Sequence, residues 1–260
     1  ALFAQGKFAE ALAAYEAVPQ QDAAYAAALR RRGTIHLLAN RWPEAEAALK
    51  AALARDPADK KAAAQMAELE SRRGNFADAA RWFTAAGRAS RAAGFALFGT
   101  DRPYRIVSRG LSAVVAFEHT DPLPAVRATA NGKEGLFIID TGAAETILDP
   151  DFAKAIAVPV AGAEQGTFAG GKTAEVAYGR LSRFAIGGIT FADIPVALVS
   201  TAKFAPAANG MRVAGVIGTG LLSRFRATID YRKGMLALDA SAGARQPPPL
   251  SAIPFWQVGD

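Results

Sequence analysis

Asp140, Thr141 and Gly142 follow directly on the apolar run Leu136-Phe137-Ile138-Ile139. A buried strand that ends on a carboxylate holds that acid in one place, as acid–base chemistry on a bound substrate requires. Thr141 can lock the following turn with its hydroxyl. Gly142, lacking a Cβ, lets another stretch of backbone come close. The same three residues also suit an ordinary Asp/Gly turn that closes a strand, so a second element is needed to choose. One lies downstream. Val213-Ala214-Gly215-Val216-Ile217-Gly218 is apolar and punctuated by glycine, Leu221-Leu222-Ser223-Arg224-Phe225 follows, and residues 227–238 have the form strand, tight turn, strand.

Other residues of chemical interest carry less. Gly166–Thr173 matches the phosphate-cradling pattern letter for letter. Such a cradle opens a helix at its Lys-Thr, whose amides hold the anion. Here Pro159, Gly162 and Gly166 lead in, and alternation up to Gly179 leads out, which predicts a strand. Nucleotide binding is therefore a remote alternative. His36 and His119 are isolated, and no cluster has metal-ligand spacing. No Gly-x-Ser-x-Gly elbow supports a serine hydrolase. No metal and no cofactor is expected. Asp230 precedes Tyr231-Arg232-Lys233-Gly234 in a hairpin, where a structural role is expected.

The stretch Leu136–Ala143 resembles the active-site loop of retropepsin-like aspartic proteases, and the order of elements matches that family from Leu111 to Ala240. The resemblance implies a closed, all-β lobe with Asp140 as catalytic carboxylate. Thr141 and Gly142 would shape its loop, and Ile217 and Gly218, with Val216, would pack beside it. It also implies the mechanism. Two carboxylates about 3 Å apart cannot both ionise, so they share a proton. One activates water, and the other donates to the scissile carbonyl. A single lobe supplies one of the two, so the second Asp-Thr-Gly must come from a homodimer mate or a second lobe.

Substrate contacts are expected at Ala143 and in a flap over residues 162–179, at Phe168, Ala169, Gly170 and Gly171. Flap backbone can pair with an extended peptide as an added strand. The activity implied is an aspartic-type endopeptidase, and relatives lean towards export to the periplasm or secretion. The rival reading is a peptide-binding or scaffold protein that does not cut, with partners held by its helical half.

That helical half is periodic. Phe8, Trp42 and Phe76 recur every 34 residues, as do Ala11, Ala45 and Ala79. Tyr15, Leu49 and Phe83 keep the register, and so do Val18, Ala52 and Ala86. The pattern resembles the tetratricopeptide repeat, a pair of antiparallel helices per unit, with small residues for close approach and an aromatic between units. Its first copy is incomplete, so that either more repeats are expected upstream or residues 85–98 supply a capping helix.

The fold class expected is therefore multidomain: a tetratricopeptide-like helical array followed by a retropepsin-like closed β-barrel lobe. The divisions are 1–98 for the repeats, 99–110 for a linker, 111–242 for the lobe, and 243–260 for a Pro-rich linker that would open a second lobe. With 260 residues there is length for both units, and the absence of cysteine removes disulfides from consideration. The net charge of +6 lies within residues 1–110. Arg30-Arg31-Arg32 and Arg72-Arg73 are its densest spots, read as solvated helix faces and not as a nucleic-acid surface. No apolar run is long enough to span a membrane.

Overall fold

The computed structural model describes residues 2–167 and 171–240, which fall into two compact units divided between Ala92 and Ala93. The first unit is helical: α1 (Phe8–Glu16), α2 (Tyr25–Leu38), α3 (Trp42–Arg55), α4 (Lys60–Arg73), α5 (Phe76–Ala85) and the start of α6 (Ala89–Ala96). Many of the phased residues are packed inside it. Ala11, Ala45, Ala79, Leu49 and Ala52 are all 1% exposed or less, and Phe76 and Phe83 are buried. Gly33 on α2 shows why small residues are required. A Cβ there would stand 2.6 Å from Cγ of Leu49, so the two helices could not approach as they do. Leu37, Ala45, Leu49, Met66 and Leu69 form the core of the array, flanked by Trp42, Leu53 and Trp82. Asp59 caps α4 by accepting from the amides of Lys61 and Ala62, and also takes Arg30 at 2.9 Å.

The second unit is built on strands β1 (Arg105–Ile106), β2 (Ser112–Ala116), β3 (Ala125–Ala130), β4 (Lys133–Ile139), β5 (Thr146–Leu148), β6 (Val160–Thr167), β7 (Thr173–Ile186), β8 (Ile189–Leu198), β9 (Val213–Ile217), β10 (Arg226–Asp230) and β11 (Met235–Asp239). Two short helices, α7 (Pro150–Ala155) and α8 (Thr219–Leu222), interrupt them. In the main sheet the order is β1-β8-β5-β9-β4-β3-β7-β6, and β7 also pairs with β8. The second pairing closes a six-stranded ring through β8, β5, β9, β4, β3 and β7, with β1 and β6 added outside. A closed barrel results, and its ring has no free edge. A separate sheet, β10-β11-β2, carries the closing hairpin.

Asn131 and Gly132 both take positive φ, 44° and 85°, between Ala130 and Lys133. That is the turn a two-residue hairpin needs, and it sends β4 back through the barrel. Along β4, Leu136, Phe137, Ile138 and Ile139 are at most 3% exposed. The Phe137 ring meets Phe184 edge-on at 5.2 Å and Phe152 at 6.1 Å, in the middle of the barrel core. Each such ring removed from water contributes roughly 2–3 kcal/mol. This is what holds the end of β4 still.

The segment read as linker is tied into the barrel unit. Arg105 and Ile106 pair with Ala192 and Phe191 of β8. Arg180 on β7 binds the carbonyl of Leu97, the carboxylate of Asp101 and, at 2.6 Å, the buried carboxylate of Asp193.

Candidate active site

Asp140 is the first residue beyond β4. Its amide donates to the carbonyl of Ile217 at 3.1 Å, which fixes its backbone to the end of β9. Its side chain is half-buried, and Oδ1 accepts the amide of Gly142 at 2.8 Å. Among the described residues no other donor meets this carboxylate, which leaves Oδ2 open to water or a second acid. Thr141 and Gly142 are exposed, and Ala143 is half-buried.

β4 and β9 run parallel, with Ile138 opposite Val216 and Ile139 opposite Ile217. Both strands therefore end side by side, and the two loops that leave them interlock. Thr219 donates its amide (2.8 Å) and its hydroxyl (3.0 Å) to the carbonyl of Ala143, and the Gly220 amide donates to Ala144 at 2.9 Å. Gly218 lies flat against the first loop. A Cβ there would come within 2.2 Å of the Glu145 carbonyl oxygen and 2.6 Å of that of Ala143. Gly215 is as tight, at 2.2 Å from the Ile147 carbonyl oxygen. These glycines serve close approach and not turning. Gly218 has φ −94° and ψ −178°, open to any residue.

Of the residues singled out from sequence, the structure brings Asp140, Thr141, Gly142, Ala143, Ile217 and Gly218 into one cluster. Gly171 sits near the tip of the β6–β7 hairpin, exposed and with φ +74°. Phe168, Ala169 and Gly170 lie outside the described residues, as do residues 241–260 with the proposed start of a second lobe. The hairpin itself pairs Thr167 with Thr173 and Gly166 with Ala174. Thr173 thus opens a strand, and the phosphate-cradle alternative lacks the helix it would need. Asp230 is occupied in its own turn, accepting the Lys233 amide at 2.9 Å. Sequence reasoning missed Thr219 and Gly220. Their one signal was position, directly after the glycine that backs the loop.

No group of three or more His, Cys, Asp or Glu among the described residues could hold a metal ion, and none of their helices is long and apolar enough to cross a membrane.

The closed barrel thus presents Asp140-Thr141-Gly142 against a second, glycine-bearing loop. Residues 126–221 match the family model described as aspartyl protease, and residues 2–69 match that of the tetratricopeptide repeat. The matched segments run in the order tetratricopeptide repeat, then aspartyl protease. Among solved structures the chain is similar to a retropepsin-like aspartic protease from Rickettsia conorii, with 21% identity and a TM-score of 0.37 over 52% of this chain and 96% of that one. It is also similar to the retroviral protease-like domain of Ddi1 from Leishmania major, with 19% identity and a TM-score of 0.32 over 45% of this chain and 88% of that one. No curated protein gives a significant match.

Proposed function

We propose that this protein is an aspartic-type endopeptidase in which Asp140 supplies one of two carboxylates, the other coming from a homodimer mate or a second lobe. The observation that carries the reading is the posture of Asp140: backbone clamped to Ile217, Oδ1 turned to Gly142, and Oδ2 met by no other protein donor among the described residues. A water held between this oxygen and a second acid would be deprotonated by one carboxylate, while the other, protonated, donates to the peptide carbonyl. No covalent intermediate forms, and the titration belongs to the pair. Exposure of Thr141 and Gly142 supports the need for a second lobe, because it leaves the loop open to a facing copy. The β6–β7 hairpin supports a flap. Residues 168–171 and Ala143 are the proposed substrate contacts.

A protein partner is proposed for the helical repeats as well. A cavity of about 180 Å³ lies among α2, α4 and residues 83–91, lined by Thr34, Leu37, Gln65, Arg72 and Phe83.

Cleavage of an unstructured protein by the full chain tests the reading. Asp140→Asn should abolish it with the circular dichroism spectrum unchanged, and undiminished cleavage would exclude the mechanism. If the second acid comes from a homodimer, activity per chain should fall on dilution; if from a second lobe, it should not. A protein that binds peptides tightly yet cuts none would be the scaffold alternative.

A further inference from the structure

The loop that carries Asp140 is braced by the Thr219–Gly220 turn, and that turn rests in its place on something further out. Gly220 identifies it. A Cβ built on Gly220 would stand 2.8 Å from the hydroxyl of Tyr104 and 2.9 Å from the carbonyl oxygen of Ala144. The Tyr104 hydroxyl therefore lies against Gly220 on the same side as the loop it braces. Its ring packs on the barrel core, and the Arg224 guanidinium sits 4.5 Å from the ring centroid, two residues past the end of α8. Tyr104 thus touches α8 near both ends.

The backbone of Tyr104 is itself fixed. It has φ 56°, a conformation few side chains other than Asn and Asp take up readily. Its amide donates to the carbonyl of Asp193 at 3.0 Å. Next to it, Arg105 binds the Asp193 carboxylate at 2.7 Å and pairs in β1 with Ala192. Three residues earlier, Asp101 is held by Arg180 at 2.7 Å. A strained backbone that is held on both sides is one whose side-chain direction matters.

We propose that Tyr104 is a positioning residue for the proposed active site. Through Gly220 and Arg224 it seats α8, α8 holds the carbonyls of Ala143 and Ala144, and these set the loop that carries Asp140. Residues 101–106, which lie outside the segment matching the protease family, are then part of the working lobe. The inference rests on the peptidase reading for its catalytic consequence, but its geometric claim can be tested alone.

The experiment uses the full chain with Tyr104→Ala and Tyr104→Phe, and has two readouts. The first is amide hydrogen exchange. In Tyr104→Ala the amides of Gly142, Thr219 and Gly220 should exchange at least about tenfold faster than in the parent, while those of β3 and β4 do not change, since only local opening is affected. Unchanged rates at these three amides would overturn the proposal whatever the activity. Uniformly faster exchange with a collapsed melting transition would also overturn it, showing Tyr104 to be a general core residue. The second is kinetics on any protein substrate whose cleavage depends on Asp140. Displacing a catalytic group by a fraction of an ångström to 1 Å costs about 10- to 100-fold, so kcat should fall by that much in Tyr104→Ala with KM within about threefold. Tyr104→Phe keeps the ring beneath Arg224 and loses the hydroxyl set against Gly220, so it should recover only part of kcat. An unaltered kcat would sink the positioning role. If the parent shows no Asp140-dependent cleavage, the peptidase reading fails, and the exchange result still decides whether Tyr104 braces the loop.

Discussion

The carbonyl of Ala143 accepts both donors of Thr219, the amide at 2.8 Å and the hydroxyl at 3.0 Å. One residue of the second loop thereby holds the first loop three residues beyond Asp140. Thr219→Val keeps the shape and removes the hydroxyl. A net loss of about 1 kcal/mol in stability is expected, the ordinary worth of one such bond. Chemical denaturation measures it, and a parallel fall in kcat with little change in KM would show that the bond acts on Asp140.

Gly218→Ala should be far more damaging. The backbone angles at Gly218 suit any residue, so the whole penalty is steric, from two carbonyl oxygens at 2.2 and 2.6 Å that have no flexible end to move. We expect a loss of about 3 kcal/mol or more, in the range of severe overpacking. Thermal unfolding of the variant checks it, and a shift in melting temperature under about 2 °C would be inconsistent with the interlocked loops.

Two buried carboxylates make the lobe acid-sensitive. For Asp193, burial favours the protonated form, but hydrogen bonds from Arg180 and then Arg105 outweigh it, leaving the pKa below the ordinary 3.8. Asp149 behaves likewise: burial raises its pKa, while Thr201 and Arg212 lower it further than burial lifts it. A group with a depressed folded pKa binds fewer protons folded than unfolded. Its contribution is full above the unfolded value and disappears as pH falls through the folded one. Stability should thus drop on acidification below about pH 4, the unfolded carboxylate range. Asp193→Asn tolerates the residue's positive φ of 62° while removing the charge. It should cost about 3 kcal/mol at neutral pH, because Arg180 is left half-buried without its main partner. Its stability should also vary less between neutral pH and pH 3, as read by urea unfolding.

In the helical unit, Leu49→Ala empties the site between α2 and α3, where Leu49 is fully buried against Gly33. The expected cost is about 2–5 kcal/mol. It would appear as an earlier melting transition of the repeats, and an unchanged transition would mean that the phased positions do not form the core.

What the sequence determined by itself was local and periodic. The 34-residue phase marked the buried faces of the helices, since helix contact requires small and large side chains at fixed intervals. The run Leu136–Ile139 and the alternation up to Gly179 marked strands, because burial is written in neighbouring residues. That the apolar Val216-Ile217-Gly218 element would pack beside Asp140 was implied by the family resemblance these residues carry. The fold decided the rest. That β7 pairs with β8 as well as with β3 and so closes the ring, that Thr219 holds Ala143, and that Tyr104 reaches Gly220 are contacts between distant stretches of chain. Nothing local in a threonine or a tyrosine states what it will meet. Only packing a closed barrel brings those groups together, and there the distance of a Cβ from a carbonyl oxygen, and not propensity or pattern, sets which residues the site requires.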